Sequence, residues 1–212
     1  VSLGVAPGID PLRRTPTQRR AQDRIQRILD AADGVLARDG SLGTRPVADA
    51  AGVSIGSPYH WFPDQESIAT AIALRYWDEL SGAVAEVAAQ ARSGALDEPI
   101  GDALDALAAG FRARPGFLAL WFGELRSERL REVTRPGRER VAASVTQILE
   151  VNHPDADPAT RAMVARVVTL LGDGVIREAF RVDRAGDEML PAEGAHALRA
   201  YVAARLGAEA DG

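Results

Sequence analysis

Ser54 lies between two glycines in Gly52-Val53-Ser54-Ile55-Gly56, which spells G-x-S-x-G, the pattern of a hydrolase nucleophile elbow. That chemistry needs a strand before the serine and a helix after it, so that the hydroxyl stands on a strained turn above a sheet. The flanking residues predict something else. Val47, Ala48 and Ala51 recur at helical spacing ahead of Gly52, and Tyr59-His60-Trp61-Phe62 reads as a second short helix behind Pro58. Thr44 is placed to cap the first helix through its side-chain oxygen, and Gly52 to end it in the left-handed conformation. Ser54 or Ser57 caps the second helix; with Ser57 as cap, Pro58 is the first helical residue, where its missing N–H costs nothing. Two small-residue helices around a glycine turn make a helix-turn-helix, whose second helix suits a DNA major groove. Ser54 then belongs to the turn, and no catalytic residue is expected.

Other catalytic and metal chemistries find little support. His60, His153 and His196 are far apart, and no H-x-x-x-H pair, Gly-rich phosphate loop or cysteine occurs. Neither a metal nor a cofactor is expected. All 25 basic residues are arginine, so every cationic contact must come from a planar guanidinium fork. The net charge of −5 argues against general affinity for nucleic acid, but it is unevenly spread: residues 1–62 carry +2 and residues 63–212 carry −7. A basic head on an acidic body would approach DNA head first. No apolar run approaches the ~20 residues that span a bilayer, and Val1 to Leu12 has no sustained apolar segment. The expected setting is the bacterial cytoplasm, with no membrane partner.

The elements that would position this head are helical throughout. Residues 1–14 read as a flexible arm ending in Arg13-Arg14. Thr15 and Pro16 open a first helix, with Gln18 in the capping-box position, and Ile25, Ile28, Leu29, Ala32, Val35 and Leu36 form its apolar face up to Gly40. Arg19, Arg20, Arg24 and Arg27 stand on its early solvent side. A long helix is predicted from about Asp64 to Arg92, another from Pro99, and a break at Pro115-Gly116. Pro136-Gly137, within a charged segment, suggests a turn, with helices near 138–151, 158–181 and 192–206. Phe111, Phe117, Trp121 and Phe122 crowd within twelve positions, either as core or as the lining of a ligand cavity, with Glu124 and Arg177 as orienting polar groups. Residues 163–180 are apolar on more than one face, so a second surface must cover them. Nothing alternates like a strand, and the fold class is all-α.

Gly52-Val53-Ser54, the Gly and Ser just beyond, Tyr59, Phe62 and Asp64-Gln65-Glu66-Ser67-Ile68 together resemble the DNA-binding signature of the tetracycline-repressor (TetR) family. The resemblance covers roughly residues 17–70. It implies a three-helix head at 15–63 and a helical effector-binding and dimerisation bundle at 64–212. Two positions depart from the family pattern: Gln65 stands where the family often has a phosphate-facing Lys, and Pro58 lies in the recognition helix.

Under this resemblance Thr44, Ser54, Tyr59 and Gln65 are expected to hold phosphates, and Arg45, His60 and the Gly56 backbone to meet base edges. Ile55, Ser57 and Trp61 complete the DNA-facing set. The effector pocket is expected to involve Phe111, Phe117, Leu118, Trp121, Phe122, Glu124, Met163, Val167, Leu171 and Arg177. The expected partners are a near-palindromic double-stranded DNA operator, a small and largely apolar effector, and a second copy of the chain. The rival reading is an all-helical small-molecule binding protein or enzyme whose helix-turn-helix is only scaffold.

Overall fold

A computed structural model of the chain describes residues 11–13, 18–122, 127–183 and 185–207. Among the described residues every regular element is an α-helix: α1 (Arg19–Asp39), α2 (Thr44–Ala51), α3 (Ser57–Trp61), α4 (Gln65–Arg92), α5 (Pro99–Ala113), α6 (Pro115–Phe122), α7 (Glu128–Asn152), α8 (Pro158–Val182) and α9 (Met189–Leu206). The chain divides into two compact units, one drawn from residues 1–78 and 113–136, the other from 79–112 and 137–212. α4 and α7 contribute to both.

In the first unit, the apolar stripe of α1 is its core: Ile28, Leu29, Ala32 and Leu36 are fully buried. α1 packs against both α2 and α6. The α6 contact depends on Gly116, where a Cβ would overlap the Asp33 carboxylate and come within 2.6 Å of its carbonyl oxygen. From α4, the Tyr76 hydroxyl donates to that same carboxylate, and Arg75 donates to Asp30 at 2.6 Å. Burial, followed by the bond to Asp33, pushes the Tyr76 hydroxyl far above its ordinary titration range, so it stays protonated as a donor. Phe117 leans on Tyr76, with ring centroids 4.8 Å apart, and Trp121 on Trp77, at 5.5 Å.

In the second unit, α8 packs along α9. Gly194 of α9 admits Val175, whose methyl would lie 2.6 Å from a Cβ there. Phe111 stacks on Phe180 at 5.5 Å, and Arg138 and Arg177 both pair with Asp173.

Three local expectations need correction. The opening at Thr15-Pro16 lies outside the described residues; α1 is described from Arg19, with an extended Gln18 in the N-cap position and no side-chain cap. The turn expected at Pro136-Gly137 is instead the interior of α7. Leu130, Val133, Gly137, Val141, Val145 and Ile148 are all buried at helical spacing across the proline. Burial of this continuous face offsets the ~3 kcal/mol that an interior proline costs. α9 begins at Met189 rather than near 192, with Pro191 tolerated in its first turn.

Candidate nucleic-acid interface

The helix-turn-helix begins with α2, and its opening differs from the capping expected of Thr44. Gly43 occupies the N-cap position, its carbonyl accepting from the Val47 N–H at 3.0 Å, and no side chain caps the helix. Thr44 is the first helical residue, and its hydroxyl is hydrogen-bonded to the Tyr59 hydroxyl at 2.6 Å. This bond ties the start of α2 to the exposed side of α3. At the other end of α2, Gly52 has φ 63° and its N–H returns to Ala48 and Asp49. A side chain would strain that left-handed turn. Val53 N–H also bonds Ala48 O at 3.0 Å, closing the α2–α3 turn tightly.

Neither candidate serine caps α3 through its side chain. Gly56 is the N-cap residue, Ser57 the first helical position and Pro58 the second. Proline is harmless there, because the first-turn N–H groups have no partner within the helix, and it is buried beneath α3. The Ser54 carbonyl accepts from the Ser57 N–H at 2.8 Å, so the G-x-S-x-G run is a hydrogen-bonded turn between helices. Among the described residues no strand precedes it.

Asp64 fixes the junction to α4. Its carboxylate accepts from both the backbone N–H and the hydroxyl of Ser67, each at 2.7 Å. The Ser67 hydroxyl bond holds this carboxyl below its usual range, with the backbone bond and the charges of Arg129 and Arg13 adding to the effect. The sequence pattern Asp-x-x-Ser is sufficient to find this cap, yet the expected site does not include it. Arg13, expected as part of a free arm, is bonded to the head. Its backbone N–H donates to Trp61 O at 2.8 Å and its guanidinium to Pro63 O at 3.3 Å. It spans the α3–α4 junction, a contact that no local sequence signal encodes.

The residues expected at DNA gather on this one helix-turn-helix. Arg45, Ser54, Ile55, Gly56, Tyr59, His60 and Gln65 are exposed, while Thr44, Ser57 and Trp61 are half-buried. Ile55 is 54% exposed, unusual for an isoleucine with no partner surface in its own chain. His60 packs edge-on against Trp61 at 4.9 Å. Arg45 enters no ion pair among the described residues, leaving its fork available. Geometry therefore provides one cation, an exposed imidazole and a coupled pair of hydroxyls on a rigid corner.

The residues expected around an effector are divided between the two units. Phe117, Leu118, Trp121 and Phe122 lie on α6 in the first, where Phe117 and Trp121 join Tyr76 and Trp77 in one aromatic cluster. Phe111, Met163, Val167, Leu171 and Arg177 belong to the second. Phe111 is spent on Phe180, Arg177 pairs with Asp173, and Met163 and Leu171 are 55% and 50% exposed. Glu124 lies outside the described residues. A polar cleft of about 260 Å³ at the α7–α8 turn and the end of α9 is lined by none of them.

An all-helical chain whose first unit presents this exposed helix-turn-helix belongs to the class of DNA-binding transcriptional regulators. Residues 95–201 match the family model described as "Tetracyclin repressor-like, C-terminal domain". A TetR-family transcriptional regulator from Streptomyces coelicolor is 31% identical, with 86% of this chain and 99% of that one covered and a TM-score of 0.56. The chain belongs to the TetR family. Two more distant structures share the fold. The TetR-family regulator PfmR from Thermus thermophilus is 22% identical, covering 93% of this chain and 100% of its own, with TM-score 0.56. The multidrug binding protein EbrR, complexed with malachite green, is 24% identical, covering 84% and 98%, with TM-score 0.58. No curated protein matches the chain. Among the described residues, no helix is long and apolar enough to cross a membrane, and no three or more His, Asp or Glu side chains gather to hold a metal ion.

Proposed function

We propose that the chain is a homodimeric repressor that reads a near-palindromic operator and leaves it when a small, largely apolar effector binds. The observation that carries the DNA half is the exposed corner of Arg45, Tyr59 and His60 on the helix-turn-helix. Residues 15–63 are the reading head, and 64–212 bind effector and partner. Arg45, His60 and the Gly56 backbone read base edges; Thr44, Tyr59, Ser54 and Gln65 hold phosphates, flanked by Ile55, Ser57 and Trp61. Phosphate contacts set register, and base contacts carry sequence.

The dimer reading rests on α8. Val164, Val168 and Ile176 are buried within the protomer, while Met163, Leu170 and Leu171 are half or more exposed on another face, flanking half-buried Val167. A helix apolar on two faces calls for a second covering surface. Met163 and Leu171, expected in the pocket, are exposed enough to serve this surface, leaving the aromatic residues of α6 as the stronger effector candidates. EbrR supports small-molecule sensing only as a relative of the same fold, seen with malachite green. A ligand releases DNA only by its difference in affinity between the operator-bound and free shapes.

Selection from random duplex DNA tests the reading. The expected result is enrichment of a palindrome by purified protein, with affinity falling steeply as salt rises. No enriched sequence and no salt-dependent binding would favour the scaffold-only alternative. A thermal-shift screen against apolar compounds then identifies the effector through its rise in apparent stability.

A further inference from the structure

Arg20, Arg24 and Arg27 lie at i, i+4 and i+7 on α1, so they share one helical face. All three are exposed, and among the described residues none takes part in an ion pair or side-chain hydrogen bond. The opposite face holds Ile25, Ile28, Leu29 and Ala32 in the core, so the arginine stripe cannot turn inward. Three unpaired, like-charged side chains within two helical turns repel one another. Three exposed guanidinium groups presented in one row suit a polyanion, whose phosphates would neutralise them.

Position supplies the second observation. Arg13 is bonded to Trp61 O and Pro63 O at the end of the recognition helix. From there six residue steps reach Arg19, a path that cannot exceed about 22 Å. Arg13 and the start of α1 are thus within that reach of each other, in the same compact unit as α3, and the phosphate rows bounding a major groove lie about 12 Å apart. The Arg13 guanidinium donates to a backbone carbonyl, so part of its donor set is already committed to the head. Its role is to hold the approach to α1 beside the head.

We propose that the Arg20–Arg24–Arg27 face of α1 is a second phosphate-binding surface, which grips the DNA backbone flanking each half-site. The proposal rests on the DNA-reading function above and extends it beyond the helix-turn-helix.

The test uses full-length protein and the palindrome recovered by selection, as a minimal duplex and as one extended by about half a helical turn at each end. Affinity is measured against salt for wild type, for the triple variant Arg20→Gln/Arg24→Gln/Arg27→Gln, and for the matching triple Arg→Lys variant. Wild type is expected to bind the extended duplex at least several-fold tighter. The glutamine triple should lose this preference, and its log-affinity slope against log salt should become shallower by about 0.9 for each phosphate no longer neutralised. The lysine triple should retain the wild-type slope, because it retains the charge. Base preference in a repeated selection should be unchanged in all three. A glutamine triple that keeps both the slope and the length preference overturns the proposal while leaving the regulator reading intact. Absence of any salt-dependent binding by wild type would defeat that reading itself. Circular dichroism distinguishes a glutamine triple that has lost structure; the proposal then stands or falls on the same comparison made with each single Arg→Gln variant.

Discussion

At the residue scale the hydroxyls of Thr44 and Tyr59 differ from the other polar groups of the head because they are bonded to each other. Each hydroxyl has one proton, and one of those protons is committed to the 2.6 Å bond between them. The pair can therefore donate only one hydrogen bond outward, so in the proposed DNA complex it would act as a single phosphate contact and not two. Thr44→Val and Tyr59→Phe should each weaken DNA binding, by about 0.5–1.5 kcal/mol. The double variant should cost little more than the worse single, a non-additivity measured by a double-mutant cycle on binding. Full additivity would mean that the hydroxyls act independently. Arg45 is expected to behave differently. Arg45→Ala should cost about 1–3 kcal/mol against the preferred base and relax selection at that position. An equal loss on every sequence would make Arg45 a phosphate contact.

At the element scale, the junction before α4 carries a stability prediction. Asp64 caps the helix through two hydrogen bonds from Ser67, and removing such a cap costs about 1 kcal/mol. The folded carboxyl titrates below its ordinary 3.8. Its contribution is thus complete above that value and lost as pH falls through the lower folded one. Urea unfolding of Asp64→Ala should show the deficit at pH 7, and the gap to wild type should narrow in strong acid. Asp64→Asn, which can still accept from the helix N-terminus, should lose less at neutral pH.

The same elements show what the sequence can and cannot disclose. α1, α2 and the corner at Gly52 are readable because periodic apolar residues and a left-handed glycine are local signals. The start of α2 is shifted by one position from its sequence signal: Thr44 can cap a helix, but its hydroxyl has a better partner fifteen residues away. Pro136 predicts a turn from local preference, and the buried face running through it overrides that preference. The clustered aromatics are ambiguous for a similar reason. Proximity in sequence places Phe111 with Phe117 and Trp121, whereas packing sends Phe111 to Phe180 and the others to Tyr76 and Trp77.

At the scale of the whole molecule, the proposed dimer depends on the exposed face of α8, and reading two half-sites would depend on that dimer. Leu170 is 56% exposed within its own chain, so a charge there should not disturb the protomer's core. In the dimer the same position would place two like charges in a desolvated interface. Leu170→Glu is therefore expected to sediment as a helical monomer and to bind the palindrome at least tenfold more weakly than wild type. A dimer that survives this substitution would move the interface off α8. Linkage between effector and operator follows the same logic, because a ligand that favours one dimer shape must lose affinity when operator DNA favours the other.

The bonds from Arg13 to Trp61 and Pro63 have a practical consequence for engineering. Regulators of this architecture invite grafting, in which residues 44–62 are transplanted into another scaffold to redirect it to a new promoter. Here the end of the recognition helix is held by a residue that such a graft leaves behind. A chimera carrying only the helix-turn-helix would inherit its letters without the brace that sets their angle. On these contacts the transferable module begins no later than Arg13.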